Sequence, residues 1–202
     1  MIKAITFDYS GVIVRDESKT LSKIIEYLGT TSENWHKEWF LGNREKNTGK
    51  KSYQEYFLEV CSRFKDPKIS KDQILEMLDE RKNGYKINTE LIEIIKILKS
   101  KDYKIGLLSN YGLELRDKLK KDDIYDLFDT IIVSSEVGCQ KPDQEIFEIL
   151  FTNLGVKPEE VIFTDDAPKS LEKADVIGYF PILYKDNESF KTELEKILEI
   201  NL

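Results

Sequence analysis

Beyond residue 86, amphipathic helical segments alternate with short apolar runs, and that alternation constrains the fold more than any other feature of the 202-residue chain. TELIEIIKILKSK puts Leu91, Ile94, Ile95 and Leu98 on one helical face. YKIGLLSN reads as a strand, LELRDKLKKDDIYDLF as a helix and DTIIVSSE as a strand. PDQEIFEILFTNLG is a helix opened by Pro142 and closed by Gly155. EVIFTDD then reads as a strand, PKSLEKADVIG as a helix, YFPILY as a strand and NESFKTELEKILEI as a closing helix. Strands and helices that take turns in this way form a mostly parallel sheet with helices on both faces.

Residues 2–7 read as one more buried strand, which places them in the same sheet. Between it and the rest, residues 16–86 have a different character. LSKIIEYLG, ENWHKEWFLG, SYQEYFLEVCSRF and KDQILEMLDERK are amphipathic, with breaks at Gly29, Gly42, NTGKK and KDPKIS. Little in this block reads as a strand. The expected organisation is a three-layer, Rossmann-like α/β core built from residues 1–15 and 87–202, with an all-helical insertion over 16–86.

In an open parallel sheet, ligands bind beyond the carboxyl ends of the strands. Asp8 follows the first strand. Ser109 and Asn110 follow the next. Ser134, Ser135 and Glu136 come after TIIV, then GCQKPD with Lys141, and Asp165 and Asp166 close VIFT. A carboxylate can act as a nucleophile when a cation shields it from an anionic substrate. Two further carboxylates suit a hard, oxygen-seeking cation such as Mg²⁺. A hydroxyl and an ammonium suit the oxygens of a transferring phosphoryl group. Each feature alone has a plainer reading: a turn, a helix cap or a solvated surface such as the one expected at Asp122-Asp123. Their coincidence at one rim favours a site.

These residues resemble the haloacid dehalogenase superfamily of hydrolases, through FDYSGVIV, LLSNYG, GCQKPDQEIF and VIFTDDAPKSLEKADVIGY in that order. The helical block lies where one subgroup of that family carries a cap. The resemblance implies that Asp8 becomes an aspartyl-phosphate, that Ser109 and Lys141 bind the phosphoryl group, and that Asp165 and Asp166 hold Mg²⁺. Asp8 and the backbone carbonyl of Ser10 would complete the metal contacts. Phosphatases of the family usually carry a second aspartate at the position of Ser10, where it moves the leaving-group proton. A serine hydroxyl does not titrate near neutral pH, and general acid–base help is worth on the order of 10²–10⁴ in rate. The implied activity is magnesium-dependent hydrolysis of the phosphate monoester of a small metabolite, slowed by Ser10. The alternatives are a carbon–halogen hydrolase, which Ser109-Asn110 would fit, and a non-catalytic relative that binds a phosphorylated ligand.

In the insertion, GNREKNTGKK supplies Arg44, Lys46, Lys50 and Lys51. Arg15 and Arg44 are the candidates to meet the substrate, together with Asn110, although charge runs are usually solvated faces. Trp35 and Trp39, four apart, are expected in the core of the block and His36 on its surface; with a single histidine, a Ser-His-Asp site is not expected. A net charge of −7 offers no basic face for nucleic acid. Cys61 and Cys139 form neither a disulfide framework nor a zinc pattern and read as packed thiols. Met1-Ile2-Lys3 runs directly into a strand, and no apolar run reaches membrane-spanning length, so a cytoplasmic protein with no membrane partner is expected. Monomer and homodimer are both compatible with the chain.

Overall fold

The computed structural model describes residues 1–65, 67–81 and 84–201. In chain order its strands are β1 (Ala4–Phe7), β2 (Val14–Asp16), β3 (Tyr85–Ile87), β4 (Lys104–Ser109), β5 (Thr130–Val133), β6 (Val161–Asp165) and β7 (Phe180–Leu183). Five of them form a parallel sheet in the order β5-β4-β1-β6-β7. β1 lies at its centre, and all four of its side chains are buried. That is why it reads as a continuous apolar run rather than an alternating one.

Among the described residues, five helices fill the insertion: α1 (Thr20–Tyr27), α2 (Ser32–Phe40), α3 (Arg44–Asn47), α4 (Tyr53–Ser62) and α5 (Lys71–Arg81). The core carries α6 (Thr89–Ser100), α7 (Leu115–Lys121), α8 (Ser134–Val137), α9 (Gln144–Leu154), α10 (Pro168–Leu171), α11 (Ala174–Ile177) and α12 (Asn187–Leu198). Strand alternation divides the apolar residues between two sheet faces. Ile105 and Leu107 pack with Leu91, Ile95 and Leu98 of α6 and with Phe190 and Leu194 of α12. Leu108 packs on the other face with Ile146, Phe147 and Leu150 of α9. Truncating any of these fully buried leucines to alanine would cost about 2–5 kcal/mol.

The helical block has a core of its own, built from Ile24, Leu28, Trp35, Tyr56, Phe57, Val60 and Leu78. Trp35 is buried and Trp39 partly buried, with their rings stacked at 5.9 Å, while His36 is exposed. Cys61 and Cys139 are buried free thiols. No helix among the described residues is long and apolar enough to cross a membrane.

Several local expectations are corrected. Both chain crossings into the helical block are extended and pair as an antiparallel ribbon, with Val14 opposite Ile87 and Asp16 opposite Tyr85. The helix expected to run through LELRDKLKKDDIYDLF stops at Lys121, because Asp123 adopts a left-handed φ of 57°. Asp122 is therefore a helix end, not a solvated helix surface, and its carboxylate accepts from the Tyr85 hydroxyl. Residues 168–177 form two short helices rather than one, and Ser134 to Glu136 begin α8 rather than prolong β5. Part of the break read at KDPKIS, at residue 66, and the end of the helix read through Lys82 lie outside the described residues.

Candidate active site

Parallel register aligns the carboxyl ends of β4, β1 and β6. The Asp8 backbone N–H donates to the Thr164 carbonyl at 2.9 Å, one residue before Asp165 ends β6. Ser109 ends β4, and Lys141 follows β5 and α8. The structure thus brings Asp8, Ser109, Lys141, Asp165 and Asp166 to one rim. Lys141 is the hub. Its Nζ donates to Asp8 Oδ1 at 2.7 Å and to Asp165 Oδ2 at 2.5 Å, from a side chain only 2% exposed. The Phe163 ring underlies the ammonium at 5.1 Å. Asp165 Oδ1 accepts from the Ala167 N–H at 2.8 Å, so both of its oxygens are engaged.

A buried charge persists only where it is paired. Burial pushes the Asp8 carboxyl up to about 6, with Lys141 pulling against it and Asp165 adding to the rise. Hydrogen bonds from Lys141 and Ser109 favour the Asp8 carboxylate. Burial, then the Asp165 charge, also raises Asp166. Burial alone would push Lys141 down, but the Asp8 and Asp165 carboxylates outweigh it and hold the ammonium protonated. Oxygens of Asp8, Asp165 and Asp166 all lie within 4.8 Å of one another. One ammonium faces three carboxylates, leaving unbalanced negative charge among hard oxygen donors. That donor set fits a small divalent cation such as Mg²⁺.

Ser10 is exposed at the mouth, on a turn closed by Gly11 N–H donating to the Val14 carbonyl at 2.7 Å. Gly11, which the sequence reading passed over, sits at φ +87°, and a Cβ there would collide with the Asp166 carboxylate. Asn110 is spent on positioning. Its Oδ1 accepts from the Lys141 N–H at 2.8 Å and its Nδ2 donates to the Lys141 carbonyl at 3.1 Å, clamping that backbone from both sides. Arg15 lies elsewhere, over the Tyr184 ring at 5.9 Å, in a shallow surface pocket shared with Glu90, Asp186 and Glu188. Arg44 pairs with Asp143 at 2.8 Å, joining the helical block to the Lys141 loop instead of pointing a free charge at the rim.

A family model described as haloacid dehalogenase-like hydrolase matches residues 2–172. The chain belongs to the haloacid dehalogenase-like hydrolases. It is 30% identical over 131 residues to bifunctional epoxide hydrolase 2 of Rattus norvegicus, covering 61% of this chain. It spans only 23% of the length of that relative. The match to D-ribitol-5-phosphate phosphatase of Bacteroides thetaiotaomicron is 26% identical and covers 98% of this chain and 99% of the phosphatase. Among solved structures, a family enzyme from Bacteroides thetaiotaomicron in complex with magnesium and inorganic phosphate superposes with a TM-score of 0.69 at 20% identity, covering 94% of this chain and 98% of that one. The family and the fold correspond to those expected from the motifs.

Proposed function

We propose that this haloacid dehalogenase-like hydrolase is a magnesium-dependent phosphomonoesterase acting on a small phosphorylated metabolite, with residues 16–86 as a cap over the site. The observation that carries the reading is the buried Lys141 ammonium bound to Asp8 and Asp165 beside a third carboxylate, Asp166. Phosphoryl transfer needs such a rim: an anionic nucleophile, donors for the phosphoryl oxygens and compensation of charge. The relative that acts on D-ribitol 5-phosphate, matched over nearly its whole length, supports a small ester as substrate.

In this reading an Asp8 carboxylate oxygen attacks phosphorus and the ester P–O bond breaks. The alcohol leaves and takes a proton from water or from the substrate, since Ser10 has no acid to give. Ser109 and Lys141 donate to the phosphoryl oxygens, and Lys141 also keeps Asp8 ionised at neutral pH. Water then attacks the phosphorus of the aspartyl-phosphate, releasing phosphate and restoring Asp8. Mg²⁺, held by Asp8, Asp165, Asp166 and the carbonyl of Ser10, would supply charge neutralisation for the phosphoryl group. Halide displacement needs no such trio of carboxylates, which is why the carbon–halogen alternative has less support.

The test is phosphate release from a panel of sugar, polyol, nucleoside and aryl phosphates, with Mg²⁺ and with chelator. Release that requires Mg²⁺ is expected. Chelator-resistant activity on 2-haloacids, or no release from any ester, would contradict the reading.

A further inference from the structure

The helical block touches the loops behind the rim through α3 and the turn after it. Asn47, the last residue of α3, is buried. Its carbonyl accepts from Ser134 Oγ at 2.5 Å, and its Nδ2 donates to Gln140 Oε1 at 2.9 Å. Two residues on, Gly49 runs so close to α8 that a Cβ there would lie 2.7 Å from the Ser135 carbonyl oxygen. These contacts set α3 against α8 and against the residue that precedes Lys141.

Gln140 opens the turn that carries Lys141. The Asp143 N–H donates to the Gln140 carbonyl at 2.7 Å, and the Gln140 N–H donates to Asp143 Oδ2 at 3.1 Å, so the turn closes on itself. Asn110 grips the Lys141 N–H and carbonyl inside it. α3 reaches both shoulders of this turn, Gln140 through Asn47 and Asp143 through Arg44. The Arg44 side chain is 56% exposed, and an exposed pair contributes little. The Asn47–Gln140 bond is the buried one, and stability does not account for it. A neutral hydrogen bond gains no more than an unpaired buried acceptor costs, and Asn47 Oδ1 is buried with no hydrogen-bond partner among the described residues. The bond does supply direction. Lys141 Nζ has to reach two carboxylates at once, Asp8 at 2.7 Å and Asp165 at 2.5 Å. A misplacement of about an ångström at such a group costs on the order of 10²-fold in rate.

We propose that Asn47 is a positioning residue for Lys141: bonded to Gln140, it fixes the turn that aims the ammonium at Asp8 and Asp165. The kinetic consequence rests on the phosphomonoesterase reading, the geometric one does not, and the two are measured separately. Reductive methylation, read lysine by lysine in peptide mass spectra, measures the geometry. Wild-type Lys141, 2% exposed and held by two carboxylates, should label far more slowly than the exposed Lys173. In Asn47→Ala the labelling of Lys141 relative to Lys173 should rise roughly threefold or more, as the turn opens locally. With Mg²⁺ and an aryl phosphate, Asn47→Ala should lower kcat about tenfold while KM changes less, since the loss falls on alignment in the transition state. Where Asn47→Ala impairs folding, Gln140→Met gives the same comparison. Gln140→Glu keeps the acceptor and should retain most of the rate. Asn47→Ala combined with Gln140→Met should cost no more than either alone, because both break one bond. Unchanged Lys141 labelling, an unchanged kcat in an active enzyme, or losses that add in the double variant overturn the proposal. A wild type that releases no phosphate from any ester, with Lys141 labelling that still rises in Asn47→Ala, contradicts the phosphomonoesterase reading and supports the positioning role.

Discussion

Lys141→Met keeps most of the length of the side chain and removes the charge and the N–H donors that bind the rim together. Asp8 and Asp165 would then face each other with their side chains 9% and 1% exposed and no cation between them. Removing one partner from a buried ion pair typically costs about 3–5 kcal/mol. For a domain of this size that corresponds to a fall in Tm on the order of 10 °C. The loss should depend on pH with a definite sign. The folded Asp8 pKa already stands at about 6 against 3.8 for an unperturbed aspartate, with burial raising it and Lys141 pulling it down. Without Lys141 it rises further. A carboxyl whose folded pKa lies above its unfolded value destabilises the fold above that folded pKa and ceases to do so as pH falls toward the unfolded one. The deficit of the variant should therefore be larger at pH 8 than at pH 6 and smaller still toward pH 5. Mg²⁺ should restore part of it at pH 8 by replacing the missing positive charge. Thermal melts of both proteins at pH 8 and pH 5, with chelator and with Mg²⁺, measure all of this. A deficit below about 1 kcal/mol, the range of an exposed pair, or one that does not change with pH, would mean that Lys141 does not hold the buried carboxylates together.

Three further substitutions probe separate parts of the rim. Gly11→Ala should displace the Asp166 carboxylate and strain a φ of +87°, weakening Mg²⁺ binding by roughly tenfold or more in a metal titration, in the range of lost metal-site support. Asn110→Leu should release both ends of the clamp on Lys141 and lower kcat by about tenfold while KM changes less, since each lost hydrogen bond is worth about 1 kcal/mol. Ser10→Asp should raise turnover on alkyl phosphates more than on aryl phosphates, within the roughly 10²–10⁴ that general acid–base help supplies. An unchanged or lowered rate on the best substrate would mean that another group already moves the proton.

The sheet and its rim were legible because a parallel sheet writes itself as apolar runs, and whatever closes each run lands on the same edge. Asp8, Ser109 and Asp165 each end or directly follow a strand, so chain order alone places them together. The β2–β3 ribbon was not legible. Its strands are three residues long, and Arg15, Asp16 and Lys86 point polar groups outward, leaving no apolar period to detect. Arg15 and Arg44 looked alike as free cations near the first loop and the insertion. Only the tertiary fold turns one onto Tyr184 and the other onto Asp143. Asn110 looked like a substrate contact because its amide is the right chemistry, but the Lys141 backbone lies within reach and uses both ends of that amide. Gly11 did carry a signal, a glycine immediately after the Asp8 turn, yet its reason is the close approach of Asp166 from a segment far along the chain.

In the proposed reaction Asp8 carries the phosphoryl group during turnover. Protein supplied with Mg²⁺ and an aryl phosphate, quenched in acid during the steady state and digested, can be examined by mass spectrometry for a phosphoryl adduct. An adduct is expected on the peptide that contains Asp8, labile to hydroxylamine as an acyl phosphate must be, with its absence and loss of phosphate release in Asp8→Asn. Phosphate release that persists in Asp8→Asn, with no adduct on the wild-type peptide, would contradict it.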